Sequence, residues 1–88
     1  MGRRRYPPHT PSEVISILEA LDFKFKRQNG SHKYYERAAG GQRRRSLVTI
    51  DVSVSSFDEY LLKSMIRQSN FGRDAFYGAT ENTAKKIR

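Results

Sequence analysis

Phe23-Lys24-Phe25-Lys26-Arg27-Gln28-Asn29-Gly30-Ser31-His32-Lys33-Tyr34-Tyr35-Glu36-Arg37, FKFKRQNGSHKYYER, is the stretch from which the rest of the chain is read. Phe23 and Phe25 alternate with Lys24 and Lys26, the period of two expected of a strand with one buried and one wet face. Asn29-Gly30 follows, a hairpin signal because both residues tolerate positive φ, and it leads into a second strand near residues 31–37. The hairpin sets His32, one of only two histidines in the chain, among cations and aromatic rings.

Upstream, TPSEVISILEALDF begins with Thr10 as N-cap, Pro11 at the first helical position and Glu13 completing a capping box. Val14, Ile17, Leu18 and Leu21 recur at helical spacing, so about three turns with one apolar face are expected. Downstream, AAGG makes a looser turn, and a third strand is expected over about 42–54, where Val48, Ile50, Val52 and Val54 alternate with polar residues. Ser56 and Glu59 read as a second capping box, with Leu61, Leu62, Met65 and Ile66 on one stripe and Asn70 ending the helix. RDAFYG reads as a short turn that pins Phe76 and Tyr77 to the core edge. The predicted order is helix, strand, strand, strand, helix: an α+β fold whose three-stranded antiparallel sheet is covered on one face by two helices. Residues 1–9 are expected to be a basic flexible arm, 10–78 the single domain, and 79–88 a basic tail. On the arm, His9 is read as solvated and without a task.

The totals narrow the partners. Eighty-eight residues make one small domain with a thin core. With no cysteine, disulfides, thiolate catalysis and cysteine zinc sites are excluded, and two distant histidines form no metal motif, so neither metal nor cofactor is expected. No apolar run approaches the ~18 residues of a membrane span, and the Arg-rich start lacks the apolar core of a signal peptide. A cytoplasmic protein with no membrane partner is expected. The net charge of +8 is clustered at Arg3–Arg5, Lys24–Arg27, Arg43–Arg45 and Lys85–Arg88, which points to nucleic acid.

If Tyr35 joins Phe23, Phe25, Val48 and Ile50 on the covered side, strand alternation puts His32, Tyr34, Lys24 and Lys26 on the open one. Cations that hold phosphate and rings that stack on unpaired bases are the materials of RNA recognition. An imidazole, which when free titrates near ~6.5, adds the ability to deprotonate a ribose 2′-hydroxyl. The residues alone leave the role of His32 open: a catalyst of metal-free RNA cleavage, a phosphate ligand in a non-catalytic RNA-binding module, or a histidine that merely sits at a strand edge. A DNA-binding regulator is a weaker rival, because the apolar residues of the last helix are needed in the core.

RQNGSHKYYER (27–37), preceded by EVISILEALDFKF (13–25) and followed by LLKSMIRQSNFGRDAFYG (61–78), resembles the HicA-type (YcfA-like) toxins of type II toxin–antitoxin pairs. The likeness runs from about Ser12 to Lys86. It implies a double-stranded-RNA-binding-domain-like fold, a metal-independent mRNA interferase activity, and a HicB-type antitoxin partner that covers the active face. The family's catalytic histidine is that of Gly-Ser-His, which falls on His32. On this reading Gly30 supplies the turn, Ser31 orients the ring or binds phosphate, Lys24, Lys26, Arg27 and Lys33 hold the RNA backbone, and Tyr34 stacks on a base. Many relatives carry a proline and a further histidine at the end of the third strand. This chain reads VTIDVSVSSFDEY there, with Asp51 and neither of those residues, so a second catalytic group is left unassigned.

Overall fold

The computed structural model describes residues 8–41 and 44–78. The order is α1 (Pro11–Ala20), β1 (Lys24–Asn29), β2 (His32–Arg37), β3 (Ser46–Asp51), α2 (Glu59–Ser69) and α3 (Arg73–Gly78). The strands form one antiparallel sheet in the order β1-β2-β3. This is the expected α+β, double-stranded-RNA-binding-domain-like arrangement, with RDAFYG forming a sixth, short helical element instead of a plain turn. No helix among the described residues is long and apolar enough to cross a membrane.

α1 starts where its sequence says it should. The Thr10 hydroxyl accepts from the Glu13 N–H at 3.2 Å, and the Glu13 carboxylate accepts from the Thr10 N–H at 2.8 Å, satisfying two otherwise orphaned donors. Asp22, at φ 75°, turns the chain into β1. α2 begins two residues later than Ser56 would have placed its cap. Phe57 stays extended because it is buried and its N–H donates to the His9 carbonyl at 2.8 Å, so Asp58 becomes the cap and accepts from the Leu61 N–H. His9 is accordingly not a solvated arm residue. Its ring lies edge-on to Tyr77 at 5.2 Å, and its backbone bridges Phe57. Residues 1–7 and 79–88, most of the expected arm and the whole of the expected tail, lie outside the described residues.

At the C-terminus of α2, Asn70 adopts the left-handed conformation, φ 63°. Buried Ser69 donates to the Ile66 carbonyl and accepts from the Phe71 N–H, satisfying the backbone where the helix stops. The core gathers Val14, Leu18 and Leu21 from α1 and its end, Phe23, Tyr35, Val48 and Ile50 from the sheet side, and Leu62, Met65, Ile66, Phe71 and Phe76 from the C-terminal helices. α2 packs along β3, close enough for the Gln68 side-chain oxygen to accept from the Thr49 N–H on the strand's outer edge, at 3.3 Å.

The hairpin departs from its expected register. Asn29 pairs with His32, so the loop residues are Gly30 and Ser31, not Asn29 and Gly30. Positive φ is confined to Gly30 (61°), as in type II′ loops. A bulge between Phe25 and Arg27 then restores the phase, so that Phe25 faces Tyr35 and Arg27 faces Tyr34. Without this extra residue Phe25 and Arg27 would share a face. Phe25 is nonetheless 54% exposed, contrary to its expected place in the core, because β1 is the edge strand farthest from α2. Its ring packs edge-on against Tyr35 at 5.8 Å.

Candidate functional site

His32 is the first residue of β2, immediately after the Gly30-Ser31 loop and directly across from Asp51, the last residue of β3. Its side chain is 50% exposed, and Nε2 lies 4.0 Å from Asp51 Oδ2. The ring is therefore on the sheet face that the helices do not cover, where alternation placed it.

Asp51 is held firmly. Its Oδ1 accepts from the Ser53 hydroxyl at 2.6 Å and from the Ser53 N–H at 2.9 Å, an Asx-type turn that also ends β3 well before Val54. These two Ser53 bonds hold the Asp51 carboxyl below the usual carboxylate range, with smaller help from the Ser31 hydroxyl and the His32 ring. The same corner is tied by the Val52 N–H, which donates to the Ser31 carbonyl at 2.8 Å. An anion fixed beside an imidazole can orient the ring and stabilise its protonated form.

The cations farther along the sheet are partly neutralised. Lys26 Nζ lies 3.2 Å from Glu36 Oε1, and Arg45 donates to the other Glu36 oxygen; these two bonds, Arg45's first, depress the Glu36 carboxyl. Lys24 approaches Asp22 at 3.7 Å in an exposed pair. The Arg27 guanidinium lies over the Tyr34 ring at 4.1 Å, a cation–π contact on the same face as His32. Lys33 is not brought to this face: it stands opposite Ile50, on the helix-covered side. Arg3–Arg5, Arg43 and Lys85–Arg88 lie outside the described residues.

A groove of about 250 Å³ opens beside His32, between β3 and α2. Asp51, Thr49, Ser64 and Gln68 line its polar side, and Phe57, Leu61 and Met65 are among its apolar walls. Sequence reading assigned none of these residues to a site. The hydrophobic stripe of α2 marked Leu61 and Met65 as core, and the cross-strand pairing of Asp51 with His32 depends on a register that passes through the AAGG turn and cannot be counted from spacing.

Residues 11–71, well over half of the chain, match the family described as HicA toxin of bacterial toxin–antitoxin. The chain belongs to the HicA toxin family. It is therefore a toxin of a toxin–antitoxin system and has a cognate antitoxin as partner. No curated protein and no solved structure matches it. The match covers α1, the whole sheet with His32 and Asp51, and α2, so the groove and the hairpin both fall within the HicA segment.

Proposed function

We propose that this HicA-family toxin is a metal-independent endoribonuclease, an mRNA interferase acting in the cytoplasm, in which His32 moves the proton of a ribose 2′-hydroxyl. The observation that carries the reading is the half-exposed imidazole fixed at a hairpin end, facing an anchored carboxylate, with Arg27 on the same face opposite Tyr34 and Lys24 and Lys26 farther along β1. In the reaction, the 2′-oxygen attacks the neighbouring phosphorus as His32 takes its proton. The bond from phosphorus to the 5′-oxygen breaks, and the leaving oxygen is protonated by the imidazolium or by water. The products are a 2′,3′-cyclic phosphate and a 5′-hydroxyl. Asp51 acts as a positioning residue that stays anionic through its Ser53 bonds and holds its carboxylate across from the His32 ring. Arg27, flat on Tyr34, and the two lysines hold the RNA backbone, and Ser31 orients the His32 corner. Gly30 makes the turn that presents the ring. A HicB-type antitoxin silences the toxin by covering this face, and a surface of net charge +8 favours fast association with an acidic partner.

The second reading, RNA binding without cleavage on the same face, is favoured by one feature: 4.0 Å between His32 and Asp51 is longer than a hydrogen bond. Expression of the native and His32→Ala chains in a host without the antitoxin separates the two. The native chain should arrest growth and leave broken messages. Loss of general acid–base catalysis should lower cleavage about 10²–10⁴-fold in His32→Ala. Undiminished arrest by the variant would remove the catalytic assignment.

A further inference from the structure

The groove beside His32 has walls of two kinds, and their chemistry goes beyond proton transfer. Phe57 and Met65, both in the core, give it an apolar floor, while Thr49, Ser64 and Gln68 supply polar atoms. At about 250 Å³ it is smaller than the ~300–1,000 Å³ of pockets that enclose drug-sized ligands, a space for one flat ring and not for a stretch of oligonucleotide.

Gln68 is oriented by the bond it makes. A backbone N–H can only donate, so the atom that receives the Thr49 N–H at 3.3 Å has to be the amide oxygen. That leaves the amide NH₂, a pure donor, as the end of Gln68 available to a ligand in the groove. A flat apolar floor with a directed donor on its wall suits a planar heterocycle that carries a carbonyl acceptor.

We propose that the groove is a nucleobase subsite, and that Gln68 makes it prefer the keto bases guanine and uracil over the amino bases adenine and cytosine. Guanine O6 and uracil O4 set a carbonyl oxygen against the Gln68 donors at the ring position where adenine N6 and cytosine N4 set an amino donor against them. With His32 at the mouth of the groove, the subsite selects the base next to the cleaved phosphate; this part rests on the ribonuclease reading, while base binding does not.

The test titrates the native chain with the 3′-monophosphates of guanosine, uridine, adenosine and cytidine while backbone amide shifts are followed, and repeats the series with Gln68→Glu. The glutamate keeps an acceptor for the Thr49 N–H but replaces the donors, and its added charge weakens all four phosphates alike, so the order of affinity is the readout. The native chain should bind the keto pair about tenfold more tightly, with shifts at Thr49, Ser64 and Gln68, and Gln68→Glu should flatten or reverse that order. Shifts confined to the cations of the sheet, or the same order in both chains, would overturn the subsite. A native chain that binds keto monophosphates in the groove but cuts no RNA removes the ribonuclease reading and leaves the subsite standing. One that cuts RNA with no response in the groove removes the subsite alone.

Discussion

Along β3, Ser46, Val48 and Ile50 are buried beneath the helices, while Thr49 and Asp51 stand partly exposed on the other side. Along β2, Tyr35 is buried and its neighbour Tyr34 is not. One backbone thus feeds two surfaces: a covered face of apolar side chains filled from α1 and α2, and an open face of ion pairs, hydroxyls and one imidazole. The covered face supplies the folding free energy, through area removed from water and close packing. The open face contributes little to stability, because its charges pair in solvent, where such pairs are each worth ~1 kcal/mol or less. Adjacent residues therefore belong to different tasks, and substitutions one position apart should separate stability from toxicity.

The widest separation is expected at Ile50 and Asp51. Ile50→Ala leaves a cavity in a fully buried site and should cost about 2–5 kcal/mol in chemical denaturation. Asp51→Asn, one residue on, should change stability at neutral pH far less while slowing RNA cleavage, since it removes the charge beside His32. Equal destabilisation by the two would break the division between faces.

A middle effect is expected at the corner that joins the faces. Gly30 has φ 61°, and an added Cβ would meet no atom within 4 Å, so Gly30→Ala carries a conformational cost alone, about 1–2 kcal/mol in thermal melts. It should also reduce cleavage, because the loop sets the direction of His32.

The smallest effect lies on the acid side. Asp51 and Glu36 both have carboxyls depressed in the folded chain, so each stabilises the fold above the unfolded carboxyl range of ~3.9–4.3, and that stabilisation disappears as pH falls through the lower folded values. Melting temperatures followed from about pH 6 downward should decline below ~4, and Asp51→Asn should decline less steeply than the native chain. Parallel curves would show that Asp51 is no more tightly held in the folded chain than in the unfolded one.

Local signals in the sequence carried much of this architecture. The Thr10–Glu13 capping box, the alternation of Val48 and Ile50, the left-handed Asn70 and the position of His32 at the start of a strand on the open face each depend on residues a few positions apart. What the sequence concealed depends on pairing over longer distances. The bulge after Phe25 is invisible in FKFKRQ, yet it decides which neighbours Phe25 and Arg27 meet. Asp51 could be identified as the partner of His32 only once the β2–β3 register was known. Phe57 held extended by His9 moved the α2 cap from Ser56 to Asp58, a tertiary contact overriding a local motif. The groove was hidden because the apolar stripe of α2 reads as core throughout, whereas of its two residues in the groove wall only Met65 is buried, and Leu61, 40% exposed, lines the groove instead.

The central claim is that the open face cleaves RNA through the ribose 2′-hydroxyl that His32 deprotonates. Its most direct test is a pair of oligonucleotides that carry the mapped cleavage site and differ by a single 2′-deoxy sugar at the attacking position, each incubated with the purified native chain. The all-ribose strand should be cut to a 2′,3′-cyclic phosphate and a 5′-hydroxyl, and the deoxy strand should stay intact at that bond; cleavage of both at equal rates would contradict the account.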